Sequence, residues 1–338
     1  MLARIPDPPP AVCRPVAIAA VITQAGIAVT GSVVRVTGSG LGCPTWPQCF
    51  PGSLTPVPDA EIAPVTQWIE FGNRLLTPLV GVVALGCLVL ALLVRPRRRR
   101  LVLLAATMPV GVAVQAVVGG ITVRTGLAWW SVALHFLISM VLVWLAVLLV
   151  AAFGEGDGPP VWLVPRPLRA LLVTATVVLA ALLTAGTMVT AAGPHAGDAD
   201  TPRLDVDIPV LAQLHADLLF GYLGLLIGLG FALRVVGVPA RTGRRYRLLV
   251  GVVLAQGSLG LVQYATGVPE VLVSLHVLGA ALVVVAMAGL WTGCRDRGSG
   301  ARPDGAGTES SGVGSHPGVP GWSEPQRASG RAPERAAT

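Results

Sequence analysis

Lysine is absent from this chain of 338 residues: all 24 basic positions are arginine. That absence reflects nucleotide composition rather than chemistry. Charge as a whole is scarce. Only 12% of residues are charged, while 53% are hydrophobic. A soluble domain cannot hide that much apolar surface, so the bilayer must be its solvent. A net charge of +7 would suit nucleic acid if the arginines lined one face. They form short clusters between apolar runs instead, the pattern of cytoplasmic membrane loops, and nucleic acid is excluded as a partner. A charged start followed by a short apolar core and a cleavage site is also lacking. Pro6, Pro8, Pro9 and Pro10 precede the first apolar run, which therefore reads as a retained helix.

Eight apolar segments are each long enough to cross a hydrocarbon core of about 30 Å. They lie near Val16–Val36, Trp68–Val94, Leu101–Val123, Ala128–Ala152, Leu168–Thr190, Val210–Val236, Leu248–Ala265 and Val271–Gly293. The expected fold is all-α and membrane-integral, with eight transmembrane helices arranged as two parallel-repeat four-helix bundles. The expected organisation is a cytoplasmic N-terminal segment (1–15), a first bundle (16–152), a cytoplasmic linker (153–167), a second bundle (168–293) and a disordered tail (294–338). Arginines set the orientation. Arg95 with Arg97 to Arg100, Arg166 with Arg169, and Arg241 with Arg244, Arg245 and Arg247 follow spans two, four and six. The opposite loops carry Asp59 and Glu61, or Asp198, Asp200, Asp205 and Asp207. Both termini are expected in the cytoplasm. The tail is rich in Gly, Ser, Pro and Arg and needs no function.

A pattern occurs twice. Gln115, Gly119, Thr125, Gly126, Leu134 and His135 recur 141 residues later as Gln256, Gly260, Thr266, Gly267, Leu275 and His276. Gly26 to Thr30 (Gly-Ile-Ala-Val-Thr) resembles Gly186 to Thr190 (Gly-Thr-Met-Val-Thr), 160 residues apart. An offset of 142 sets Asn73 opposite His215. Four spans per half require both halves to insert in the same orientation, a frame with room for a site inside each bundle.

His135, His215 and His276 each enter from the outer side and sit roughly 8–12 Å below the edge of the core, at ~1.5 Å per residue. An isolated membrane histidine often does no more than bond a neighbouring helix. Three at one level, two of them in one bundle, point to metal or haem. His215 and His276 come from the second and fourth helices of the second bundle, and two imidazoles facing each other across a bundle can take both axial positions of a haem iron. Gly221, Gly224 and Gly279 lie nearby to admit the ring. A six-coordinate site of that kind suits electron transfer. In the first half the place of His215 is taken by Asn73, a poor iron ligand. Glu70 and Arg74 lie close by, either as an interfacial ion pair or as a carboxylate that handles protons beside a haem-like substrate.

The outer loop after the first span reads Gly40-Leu-Gly-Cys-Pro-Thr-Trp-Pro-Gln-Cys49. Cys43 and Cys49 face the oxidising side, where a disulfide is the default. Its role is open between a structural staple and a redox or haem-delivery pair. Cys13, Cys87 and Cys294 have no evident partner. His195 reads as loop structure, and His316 belongs to the tail.

Together these residues resemble the haem A synthase family. The matching stretches are Val29-Thr-Gly-Ser-Val-Val-Arg-Val-Thr-Gly-Ser-Gly-Leu-Gly-Cys-Pro-Thr-Trp-Pro-Gln-Cys49, Glu70-Phe-Gly-Asn-Arg74, Gly193-Pro-His-Ala-Gly-Asp198 and the segments around His135, His215 and His276. The likeness covers roughly residues 16–292. It implies an oxidoreductase of the cell membrane that converts a ring methyl of haem O to a formyl group by successive hydroxylations, giving haem A for terminal oxidases. It further implies haem b as cofactor on His215 and His276, substrate haem at His135 with Asn73 and Arg74, Glu70 as the functional acid, and Cys43 with Cys49 as the outer-loop pair. Haem O synthase, an electron carrier of unstated identity and membrane lipid are the implied partners, and a homo-oligomer stays open. Many members carry histidine where this chain has Asn73. Either His135 alone holds the substrate iron, or Asn73 reaches it through a hydrogen bond or water. The second outer loop also lacks a cysteine pair found in some members.

Two other classes compete. A b-type cytochrome subunit would relay electrons without altering haem, and Asn73 argues against its second site. A repeat-built transporter would bind solute at His135 and His276, and the absence of broken helices with paired intramembrane acids argues against that.

Overall fold

The computed structural model describes residues 7–298. Eight long helices carry the fold: α1 (Pro10–Val36), α2 (Pro64–Leu93), α3 (Arg99–Arg124), α4 (Trp129–Gly154), α5 (Arg166–Ala192), α6 (Ile208–Val236), α7 (Ala240–Ala265) and α8 (Glu270–Gly293). All eight are long and apolar enough to cross a membrane. Large apolar side chains such as Ile22, Val82, Val177 and Phe231 stand more than half exposed, which only a lipid solvent tolerates. The chain is an all-α, multi-pass membrane protein.

Several helices outrun their apolar cores. α1 begins at Pro10 rather than residue 16, with proline at its first positions where no N–H partner is needed. α7 begins at Ala240 rather than Leu248, because Arg241, Arg244, Arg245 and Arg247 make helical turns beyond the apolar run. α4 runs on to Gly154 and α5 starts at Arg166. The segment from Arg295 is not wholly tail, either. Arg295–Asp296 (β2) pairs antiparallel with Val161–Trp162 (β1) of the linker, and Leu163 N–H donates to Cys294 O at 2.9 Å. The rest of the expected tail, His316 included, lies outside the described residues.

α1 to α4 form a closed ring in which each helix packs along two neighbours. Its seam is built of small residues, among them Ala20, Ala84, Ala91, Ala105 and Ala146, which let helices approach closely in lipid. α5 packs on α6 and α7 on α8, but the two pairs meet sparsely. The first four helices are thus drawn together and the last four are parted. Between the halves, Met140 and Val143 of α4 meet Ala281 and Val284 of α8. These positions are 141 apart, so the repeat packs equivalent faces together, as in a twofold contact.

The repeat extends to backbone detail. Thr125-Gly126-Leu127 and Thr266-Gly267-Val268 end α3 and α7 with two successive left-handed residues each. Leu127 N–H bonds Thr122 O at 2.9 Å and Val268 N–H bonds Gln263 O at 2.8 Å. Positive φ costs Leu127 (59°) and Val268 (61°) on the order of 1–2 kcal/mol each. Each strained residue makes a contact between distant loops. The Leu127 side chain lies against Gly40 and Gly197, where an added Cβ would lie 2.7 and 3.0 Å from it. Val268 O lies 2.9 Å from His195 Nε2.

Candidate functional site

His135 and His276 each lie six residues into their helices, and His215 seven into α6. At ~1.5 Å per residue all three sit roughly 10 Å from the helix ends that carry the cysteine loop. The His215 and His276 rings face each other with centroids 6.4 Å apart and planes at 55°. His215 Nδ1 is 3.1 Å from Leu182 O. A donated proton there leaves Nε2 unprotonated, the form that binds a metal. His276 Nδ1 is buried with no hydrogen-bond partner among the described residues.

A glycine on the neighbouring helix backs each of His135, His215 and His276. A Cβ added at Gly186 would lie 3.1 Å from His215 Cε1, one at Gly260 2.9 Å from His276 Cε1, and one at Gly119 3.4 Å from His135 Cε1. The backbone of His135 is held by Gln115 Nε2 (3.0 Å) and that of His276 by Gln256 Nε2 (2.8 Å). The repeated Gln-x-x-x-Gly spacing therefore has a physical content: one side chain fixes the helix and the next turn makes room for the ring. Gly279 differs from its expected use, since its open Cα face accommodates Gln256 Oε1 rather than a ligand. Its counterpart 141 residues earlier is Ile138, and Gln115 turns instead to Ser139 Oγ. Gly221 and Gly224 do face open space.

Asn73 occupies the place corresponding to His215. Its Nδ2 lies 4.0 Å from the Cβ position of Gly31, just as His215 lies against Gly186. Those glycines are 155 residues apart. The contacts therefore replace the offset of 160 with Gly31-x-x-Val34-x-x-x-Gly38 over Gly186-x-x-Val189-x-x-x-Gly193. Asn73 Oδ1 accepts from Thr30 Oγ1 at 2.7 Å, a partner that sequence reasoning missed.

Glu70 is 5% exposed and both of its oxygens are engaged. Oε2 accepts Cys43 N–H at 2.7 Å, and Oε1 accepts Arg74 Nε at 3.1 Å and also Nη2. Arg74 in turn donates to the carbonyls of Cys43 (2.8 Å), Thr45 (2.9 Å) and Gln48 (3.2 Å). Cys43 and Cys49 are disulfide-bonded with Cα atoms 4.4 Å apart. Gly42 lies so close to α2 that a Cβ would fall 2.4 Å from Thr66 O. The ion pair is thus a clamp joining the cysteine loop to α2. His195 also serves loop structure, since its carbonyl accepts Arg35 Nε and its ring reaches Val268 O.

The paired rings fit a haem. Two imidazole–metal bonds of about 2 Å, with the depth of two rings, come to roughly 6 Å between centroids, close to the 6.4 Å observed. The helix pairs α5–α6 and α7–α8, which carry the two rings, meet sparsely. In the first half His135 is the one imidazole, and the position matching His215 holds Asn73, an amide.

Known proteins bear on this geometry. A protein from Symbiobacterium thermophilum named Heme A synthase is 33% identical over 128 residues, 38% of this chain and 40% of that protein. One of the same name from Lysinibacillus sphaericus is 37% identical over 129 residues, covering 37% and 39%. The chain thus matches about two fifths of the length of these two relatives. A third, from Halalkalibacterium halodurans, also named Heme A synthase, is 26% identical over 287 residues, covering 82% of this chain and 94% of its own. The profile of the COX15-CtaA family, described as cytochrome oxidase assembly protein, matches residues 14–201. That span takes in the cysteine loop, Glu70, Asn73, Arg74 and His135, and the chain belongs to this family.

Proposed function

We propose that this chain is a haem A synthase. It takes haem O as substrate, oxidises one ring methyl to a formyl group by successive hydroxylations, and delivers haem A for terminal oxidases. One observation carries the reading: within a symmetric frame the ligands are asymmetric. The second half holds two facing imidazoles, and the first holds His135 with Asn73 bonded to Thr30. A wire needs both axial positions closed. A reactive half needs a substrate held by one ligand and able to leave.

His215 and His276 would hold haem b, which would supply one-electron transfer when bound. The chain's own residues do the rest. His215, fixed through Leu182 O, presents Nε2; His276, backed by Gly260, closes the pair. His135 orients substrate haem in the first bundle (16–152), and Asn73 fills the space facing it without competing for iron. Glu70 holds negative charge at the junction of α2 and the cysteine loop, where it steadies the site and manages charge during oxidation. Arg74 anchors both. Cys43 and Cys49 close that loop. The second bundle (168–293) relays electrons to or from a separate carrier, and haem O synthase is the source of substrate.

The chain resides in the cell membrane with the cysteine loop outside and the arginine-rich linker (153–167) and both termini in the cytoplasm. The test is haem content after expression in a host that supplies haem O, by solvent extraction and mass analysis. Haem A beside haem b is expected. Haem b alone, with haem O present and unchanged, would mean an electron-relay cytochrome, and no haem would sink both readings.

A further inference from the structure

At the arginine-rich end, far from the histidines, lies a cleft of about 500 Å³. Arg99, Arg100 and Arg295 line its polar side with Asp157, and Leu103 and Leu148 line its apolar side. Leu103 is more than half exposed on α3, so the cleft opens sideways onto the lipid-facing surface.

Charge here is unbalanced. Two carboxylates, Glu155 and Asp157, serve Arg100 (3.0 Å), Arg98 (3.2 Å) and, more distantly, Arg297 (4.0 Å). Five arginines at positions 98, 99, 100, 295 and 297 against Glu155, Asp157 and Asp296 leave an excess of two positive charges. Arg295 carries the argument furthest. Its Nε and Nη2 are buried and have no hydrogen-bond partner among the described residues. Burial lowers its pKa; Glu155 opposes this, and Arg100 and Arg297 add to it. Nor is the side chain loosely placed. β2 pairs Arg295 with Trp162, and Trp162 is packed edge-on to Trp291 at 5.6 Å and lies under Arg169 at 5.3 Å. Arg295 lines the cleft, and with its side chain held in place and no carboxylate bonded to it among the described residues, its positive charge is left for an anion there.

We propose that this cleft binds the phosphate of an anionic phospholipid, with Arg295 and Arg99 on the phosphodiester and an acyl chain along Leu103 and Leu148. An arginine fork matches two phosphate oxygens, and basic pockets between membrane helices take anionic head groups. The apolar wall has no use for free phosphate. The inference rests on the membrane reading and goes beyond the haem reading, which it neither needs nor supports.

The test uses the full chain in phosphatidylcholine nanodiscs doped with phosphatidylglycerol, scoring lipid retained after detergent exchange by mass analysis. Enrichment of phosphatidylglycerol is expected in the wild type. Each arginine near a charged surface is worth about fivefold in binding, so Arg99→Gln with Arg295→Gln should weaken retention about 25-fold. Arg97→Gln, exposed and outside the cleft, should change it little. Helical circular dichroism and monodispersity of the same samples report folding and are expected unchanged. Equal loss from Arg97→Gln and Arg295→Gln would reduce the effect to diffuse surface charge and overturn the site. Displacement by millimolar inorganic phosphate would reassign it to free phosphate and overturn the lipid. Should the double variant fail to fold, wild-type preference for phosphatidylglycerol over phosphatidylcholine decides alone, and no preference refutes the proposal.

Discussion

Replacing Gly260 with alanine tests whether the paired rings are ligands. The new Cβ would stand 2.9 Å from His276 Cε1, whereas carbon atoms settle at about 3.5–4.0 Å. The ring must therefore retreat by roughly 0.6–1.1 Å. Metal–ligand distances tolerate about 0.2 Å, so His276 cannot retreat and keep its bond. Overpacking of this kind costs roughly 1–3 kcal/mol. At about 1.4 kcal/mol per tenfold, that weakens haem retention about 5- to 150-fold. The assay is the low-spin absorbance and extracted haem b per polypeptide during graded detergent washing. Gly186→Ala should act in the same direction less strongly, because its Cβ would lie 3.1 Å from His215 Cε1. Gly119→Ala, at 3.4 Å from His135, should spare the low-spin signal. Gly81→Ala, on α2 with nothing within 4 Å, is the neutral control. A Gly260→Ala protein that folds normally and keeps the full low-spin spectrum would refute the ligand assignment.

Other outcomes follow from the same contacts. His276→Ala should abolish the low-spin signal, whereas His135→Ala should keep it and lose haem A formation; the reverse pattern in spectra would exchange the roles of the halves. Glu70→Ala strands Arg74 and frees the Cys43 N–H, a loss of about 3–5 kcal/mol for a broken buried pair. Cys43 and Cys49 should then reduce and alkylate faster, and product should fall while haem b stays. A Glu70→Ala protein with unchanged product would confine the residue to the clamp. Asn73→His, placed against Gly31, should raise the low-spin character of bound substrate haem and slow turnover, and an unchanged spectrum would show that the position does not face the iron.

The sequence alone determined the eight crossings, because about 20 apolar residues suffice to partition a helix into lipid. It also determined the doubling. The 141-residue offset is carried by residues with strict local demands, such as Gly126 and Gly267 at positive φ. His135, His215 and His276 were legible as one set because depth follows from counting along a helix. What counting could not reach was which groups meet across helices. Glu70 and Arg74 read equally well as ion pair or reactive acid. Only packing showed that both oxygens of Glu70 are taken by Arg74 and the cysteine loop. Sequence similarity aligns Gly186 with Gly26, whereas the ring contacts set it opposite Gly31. Thr30 on Asn73, and Arg295 paired with Trp162, join residues 43 and 133 positions apart. In lipid, helix periodicity marks no buried face, since the tails are as apolar as the core. The choice of neighbour therefore rests on small residues, rotamers and side-chain hydrogen bonds, and those are decided only when the helices come together.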